Sequence, residues 1–128
     1  MSTIALFCLL FVILFHALAF VGEAFLWMRP ALHRGMIRKV NPGLDMDPAD
    51  QARVTRILMI NQGVYNLMIA LGGIAALMSP GATGTALATY VFAFAIAAGA
   101  TLAFTTVAFV GAALQATPAL IGLWFLLS

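Results

Sequence analysis

Long apolar stretches separated by one polar segment dominate this chain. Runs with almost no formal charge cover residues 3–28 and 57–78, and residues 79–128 carry none at all. A membrane-spanning helix needs about 20 predominantly apolar residues. As a single helix the final run would reach about 75 Å, more than twice the roughly 30 Å hydrocarbon core of a bilayer. The pattern therefore predicts two spans in the final run and four in total.

The predicted fold is all-α: a polytopic membrane protein whose four transmembrane helices form one bundle and a single domain over residues 1–128. We expect helices at about 3–28, 48–78, 84–109 and 112–127, with a connecting loop at about 29–47. Asp47 followed by Pro48 is typical of a helix start, because Asp caps free N–H groups and Pro suits the first turn. Ser79-Pro80-Gly81 predicts the next turn. The last turn is placed at 110–112, beside Gly111.

Composition and charge agree with a membrane protein. The chain is 64% hydrophobic and only 8% charged, against about 45–50% and 25% in soluble domains. All six Lys and Arg residues lie between Arg29 and Arg56. Short loops rich in Lys and Arg stay in the cytoplasm, so both termini are expected on the non-cytoplasmic side of a bacterial inner membrane. Attraction to lipid head groups explains these cations, and nucleic acid is not expected as a partner.

Glu23 is the only acidic residue within an apolar stretch. A charged side chain in mid-membrane costs about 2.5–3.5 kcal/mol on insertion-derived scales, so such a residue usually has a partner or a function. The other polar side chains of the spans are the candidates for a shared ligand-binding pocket or polar cluster. They are His16 on the same helix, Asn61, Gln62, Tyr65 and Asn66 on the second span, and Gln115 on the last.

Counting residues from the basic segment predicts how deep these side chains lie. Glu23, Asn61 and Gln115 fall at one level, about 6–9 Å below the cytoplasmic interface. This convergence predicts a polar pocket that opens towards the cytoplasm and narrows into the membrane. The plainer alternative is that the amides only join helices, which is worth about 0.6–2 kcal/mol each. The deeper members of the set are Tyr65, Asn66 and His16.

Other chemistry finds little support in the sequence. Cys8 is the only cysteine, so no intrachain disulfide forms, and two histidines with one cysteine do not make a structural zinc site. The segment that begins at Asp45 does not match a calcium loop, because Asp50 stands where such a loop requires Gly and Arg56 where it requires Glu. No catalytic residue, cofactor or metal ion is predicted.

Small residues recur at four-residue spacing in the third span, at Ala95, Gly99 and Ala103. The second span has a comparable group at 72, 73 and 76. Such faces let helix backbones approach closely. We expect them to pack within one bundle rather than to join two copies.

Three groups of residues together resemble a known family of small bacterial membrane proteins, domain-of-unknown-function family 1304. They are His16-x6-Glu23-x3-Trp27, the sequence NQGVYN at 61–66, and QATPA at 115–119. The resemblance covers nearly the whole chain, although DMDPAD at 45–50 makes the first loop longer than usual. The resemblance implies a four-helix architecture but does not imply any particular activity.

Three functions remain open from the sequence. In the first, Glu23 senses a proton or cation within a pocket that binds or transports a small ligand. In the second, the protein is a non-enzymatic accessory subunit of a larger membrane complex, or a homo-oligomer, and the polar cluster only sets helix register. In the third, Glu23 and Tyr65 perform acid–base chemistry on a hydrophobic substrate.

Overall fold

The computed structural model describes residues 1–128 and contains five α-helices and no strand. The all-helical fold class is confirmed. Four helices are long and apolar enough to cross a membrane, and one short helix lies in the segment predicted as a loop. The helices are α1 (Thr3–Ala24), α2 (Pro30–Val40), α3 (Pro48–Met78), α4 (Gly81–Thr105) and α5 (Phe109–Leu127).

The four long helices form a ring in the order α1, α3, α4, α5. Each packs against its two neighbours in that ring, while α1 and α4 meet at few points. Contacts at two levels show that α1 and α3 run antiparallel: Gly63 of α3 approaches Ala24 of α1, and Gly73 approaches Ile13. The core between them is built from small and medium side chains around Phe92 and Leu9. Many large apolar residues point outward, as the surface of a membrane-spanning bundle does.

Helix α1 ends at Ala24, four residues before the predicted boundary. Residues 25–29 form a turn, and the next residue is Pro30, whose ring disfavours helical backbone at Arg29. Arg29 is extended, and Pro30 then occupies the first position of α2. Proline suits this position because it has no N–H to leave unpaired. The predicted loop at 29–47 therefore contains an eleven-residue helix.

Helix α2 lies across one end of the bundle. Its Leu32 approaches Gly22 of α1, Ile37 is buried against Trp27 and Ala52, and the carbonyl of Lys39 accepts a hydrogen bond from Val107 at 3.1 Å. This end carries every cation of the chain, and we call it the basic end. Its members are Arg29, Arg34, Arg38, Lys39, Arg53 and Arg56.

The turn between α4 and α5 occupies residues 106–108, before the predicted position at 110–112. The Thr106 hydroxyl donates to the carbonyl of Leu102 at 2.8 Å and accepts from the N–H of Ala108 at 3.0 Å. Threonine hydroxyls compete in this way with helical hydrogen bonds and favour helix ends. At the other end α4 begins at Gly81, three residues earlier than predicted, because Gly81 takes a φ of 60° and reverses the chain at once.

The small-residue faces pack within the bundle. A Cβ atom at Gly99 would lie 2.8 Å from the Cβ of Ala116 and 2.9 Å from the carbonyl oxygen of Ala112, both in α5. A Cβ at Gly72 would lie 3.4 Å from Val91 of α4. These positions therefore allow close approach of neighbouring helices in one chain.

Candidate functional site

Glu23 lies in the last turn of α1, on the side that faces α3. Its Oε2 accepts a hydrogen bond of 2.7 Å from the side-chain amide of Asn66, and the side chain is half-buried. The second carboxylate oxygen, Oε1, has no hydrogen-bond donor within the protein and is not enclosed. The only ion pair in the structure joins Arg53 and Asp50. Glu23 is therefore held by a neutral amide, with one oxygen free and no protein cation beside it.

Close approach of two helices creates this pair. A Cβ at Gly63 would lie 3.1 Å from the backbone nitrogen of Ala24 and 3.3 Å from the carbonyl oxygen of Phe20. The absence of a side chain lets α1 rest on α3 at this level. Asn66 follows Gly63 by three residues and so lies on the same face of α3. Its side-chain amide reaches the carboxylate of Glu23 about one helical turn from the contact at Gly63.

Three predicted site residues lie elsewhere. Asn61, Gln62 and Tyr65 are exposed on the outer surface of α3, Tyr65 to 62%, and none donates or accepts a side-chain hydrogen bond within the protein. The structure does not bring these three side chains together around Glu23. The prediction rested on depth, whereas a helix turns by about 100° per residue, so Asn61 and Tyr65 point well away from the face that carries Asn66. Gln62 is only about 40° from Asn66 around the helix, at the exposed edge of that face.

The remaining two candidates form a second pair. His16 is completely buried, and its Nδ1 lies 2.8 Å from the carbonyl oxygen of Val12, one turn earlier in α1. A carbonyl can only accept, so Nδ1 carries the proton and Nε2 is an acceptor. The amide nitrogen of Gln115 donates to this Nε2 at 3.3 Å. The pair joins α1 to α5.

Gln115 therefore does not meet Glu23 as predicted. The turn at 106–108 comes earlier than expected, so Gln115 lies about 10 Å along α5 from that turn and reaches the level of His16 instead. His16 and Glu23 are separated by seven residues, again about 10 Å of helix. The single predicted cluster is in fact two interhelical pairs at two depths.

A junction at the basic end went unrecognised in the sequence. Trp27 is buried and donates from Nε1 to the carbonyl of Ala52 at 3.0 Å. His33 is also buried and donates from Nδ1 to the carbonyl of Trp27 at 3.2 Å. The other ring nitrogen of His33 and the Oε1 of Gln51 are buried without a partner. The spacing of His33 and Ile37 after Pro30 was the available signal for an amphipathic helix.

An apolar groove on the surface is distinct from both pairs. It has a volume of about 630 Å³, lies between α1 and α5, and is lined mainly by apolar side chains such as Phe7, Phe11 and Ile121. No member of the predicted polar set borders it. Nor do three or more His, Cys, Asp or Glu side chains come together anywhere in the structure.

These features define a small helical membrane protein with a carboxylate–amide pair between its first two long helices. The chain belongs to the family described as "Protein of unknown function (DUF1304)", whose model matches residues 10–127. No curated protein and no solved structure matches the chain. The matched region includes all seven predicted site residues, from His16 to Gln115.

Proposed function

We propose that this protein binds a small cation, either a proton or a protonated organic ligand, at the carboxylate of Glu23 within the membrane. The observation that carries the proposal is the environment of that carboxylate. One oxygen is held by the Asn66 amide at 2.7 Å, and the other has no donor in the protein. An ionisable group in a span is by default a functional candidate.

An unpaired charge within the membrane is energetically unfavourable. A carboxylate in the membrane is unfavourable by about 2.5–3.5 kcal/mol on insertion-derived scales. The Asn66 amide donates a hydrogen bond but supplies no opposite charge. A bound cation or proton would neutralise the carboxylate, so the protein and the ligand would stabilise each other. Asn66 would then act as a positioning residue that keeps Oε2 fixed and directs Oε1 to the ligand.

The donor set favours a proton or an organic cation over a divalent metal ion. Calcium takes about 6–8 oxygen ligands and magnesium requires a nearly ideal octahedron. Here one carboxylate and one amide are side by side, and no other acid is near them. Acid–base chemistry with Tyr65 has less support, because Tyr65 is on the outer face of α3 and makes no hydrogen bond with Glu23.

The position of Glu23 along the bundle would determine from which side of the membrane a ligand reaches it. The basic end carries all the cations, and the positive-inside rule would place it in the cytoplasm of a bacterial cell, with both termini across the inner membrane. Glu23 lies in the last turn of α1, seven residues before α2 begins at Pro30. The ligand would then reach Glu23 from the cytoplasmic side, while His16 and Gln115 would lie deeper along α1.

The test is a comparison of wild type and Glu23→Gln in detergent and in lipid nanodiscs. Glutamine retains the shape and still accepts a hydrogen bond from Asn66, but it cannot ionise. We expect binding of tetraphenylphosphonium to release a proton from wild type and from Asp50→Asn, and to release none from Glu23→Gln. Asp50→Asn is the matched control, because Asp50 is an exposed acid paired with Arg53.

Two results would contradict the proposal. One is equal affinity of wild type and Glu23→Gln for tetraphenylphosphonium at every pH. The other is a proton release that persists in Glu23→Gln but disappears in Asp50→Asn.

A second candidate function is that of an accessory subunit in a larger membrane complex. The observation in its favour is the polar outer face of α3, where Asn61, Gln62 and Tyr65 have no partner in the chain. In that case Glu23→Gln would have little effect, whereas substitutions on that face would abolish co-purification of another protein. Isolation from native membranes with both variants separates the two functions.

A further inference from the structure

We propose that two copies of this protein pair in the membrane through the outer face of α3. The contact surface, which we call the α3 stripe, consists of Val54, Leu58, Asn61, Tyr65 and Met68. This inference does not depend on the function proposed for Glu23, which lies on the opposite side of α3 from the stripe.

The stripe has the spacing of a coiled-coil seam. Its members follow one another at intervals of four, three, four and three residues, which is the 3.5-residue repeat of two helices wound around each other. They are also at the centre of the exposed face: Val54 is 70% exposed, Leu58 66% and Met68 58%. At the far end the stripe stops at Gly72, which α4 covers through Val91.

Polar groups on the stripe need a partner that the chain does not provide. The amides of Asn61 and the neighbouring Gln62, and the hydroxyl of Tyr65, make no hydrogen bond within the protein. Asn61 is five residues beyond Arg56 and Tyr65 nine, so they lie about 7 and 13 Å further along the helix towards the bilayer centre. Hydrocarbon offers no hydrogen bonds, and an unsatisfied polar group there costs free energy.

The chemistry of these groups favours a second copy as the partner. An amide has both donors and an acceptor, so it is complementary to an identical amide. Two copies inserted in the same orientation are related by a two-fold axis along the membrane normal. Their α3 helices then run parallel, and Asn61 of one copy faces Asn61 of the other. In the heptad defined by this spacing Asn61 is at a d position, where a residue of a parallel pair faces its counterpart across the seam, so the two amides can hydrogen-bond to each other.

Disulfide cross-linking between residue 61 of one copy and residue 61 of the other provides the first test. In a Cys8→Ser background, Asn61→Cys is oxidised in native membranes and analysed by non-reducing electrophoresis. We expect a cross-linked species of twice the monomer mass. Phe104→Cys is the matched control, because Phe104 is 90% exposed near the end of α4 that faces the basic end, but is not on the stripe. We expect this variant to remain monomeric.

The strength of association provides the second test. Förster transfer between labelled copies, measured at increasing lipid-to-protein ratio, gives a dissociation constant. We expect Asn61→Ala to weaken pairing by about 3- to 30-fold, the range that one interhelical amide contact provides. Thr101→Ala is the control and should not change it, because the Thr101 hydroxyl donates to Ala97 of its own helix.

Three outcomes would overturn the inference. The first is equal cross-linking of Asn61→Cys and Phe104→Cys. The second is an unchanged dissociation constant in Asn61→Ala, or monomers at all lipid ratios. The third is cross-linking of Asn61→Cys to a protein of different mass and not to itself, which would instead favour the accessory-subunit function.

Discussion

Asn66 and Glu23 are joined by a 2.7 Å hydrogen bond that links α3 to α1 near the basic end of the bundle. The bond exists because Gly63, one turn away, lets the two helix backbones touch. It connects the only acid in the spans to an amide that contributes no charge. This one contact therefore packs α1 against α3, pairs two polar groups and contains the carboxylate of the proposed function. Its contribution to the free energy of unfolding can be measured directly.

Replacing both partners of this bond should show that they are coupled. We expect Asn66→Leu and Glu23→Leu to be non-additive by about 0.6–2 kcal/mol, because each single change leaves the other polar group without its partner. The free energy of unfolding can be followed by circular dichroism in mixed micelles with increasing sodium dodecyl sulfate. Strict additivity of the two changes would mean that the bond contributes nothing to stability.

The hydrogen bond between His16 and Gln115 predicts that two glutamines contribute differently to the stability of the monomer. Gln115→Leu should destabilise the monomer by about 0.6–1.7 kcal/mol, since it removes the donor to His16. Gln62→Leu makes the same chemical change at an exposed position with no partner in the chain, so its effect on the monomer should be near zero. Unfolding at high lipid or detergent dilution keeps the protein monomeric for this comparison. Equal losses at both positions would contradict the assigned pairing.

Glycine positions should respond according to their surroundings. Gly99→Ala places a methyl group against Ala112 and Ala116, and we expect a loss of about 1–3 kcal/mol from overpacking. Gly35→Ala is the control, because Gly35 is in α2 with nothing within 4 Å of the added carbon. Alanine there should stabilise α2 by about 0.5–1 kcal/mol. Thermal unfolding of the two variants should shift in opposite directions.

Docking of α2 can be followed through Trp27. The chain has two tryptophans, and Trp124 is exposed, so in a Trp124→Phe background the emission reports only the buried Trp27. We expect Ile37→Ala to move this emission to longer wavelength and to increase quenching by iodide, because Ile37 packs against Trp27. Val40→Ala, at an exposed position of the same helix, should leave the spectrum unchanged.

The proposed orientation predicts which residues a membrane-impermeant maleimide can reach. In a Cys8→Ser background, Ser128→Cys should react in intact spheroplasts, while Asn41→Cys should react only after the membrane is opened. Both residues are exposed in the structure, so accessibility reports the side of the membrane. The reverse pattern would place the basic end outside the cytoplasm.

The sequence determined the all-helical class, the four long apolar helices and the residues worth examining. These follow from hydropathy and length, because a backbone in lipid must satisfy its own hydrogen bonds and does so as a helix of sufficient length. Asp47-Pro48 correctly placed the start of α3. Glu23 stood out because ionisable side chains are costly in that environment.

Only the tertiary structure decided which polar groups meet. Hydropathy does not define the rotation of one helix against another, so the sequence favoured Asn61 as the partner of Glu23 on depth alone. The contact at Gly63 sets the face of α3 and makes Asn66 the partner instead. The Thr106 turn likewise moved Gln115 to the level of His16. The close approach at Gly63 is a contact that residues far apart in the chain create together, so no single stretch of sequence specifies it. The Thr106 turn is local, but its effect on Gln115 is seen only when α5 packs against α1 and the amide meets His16.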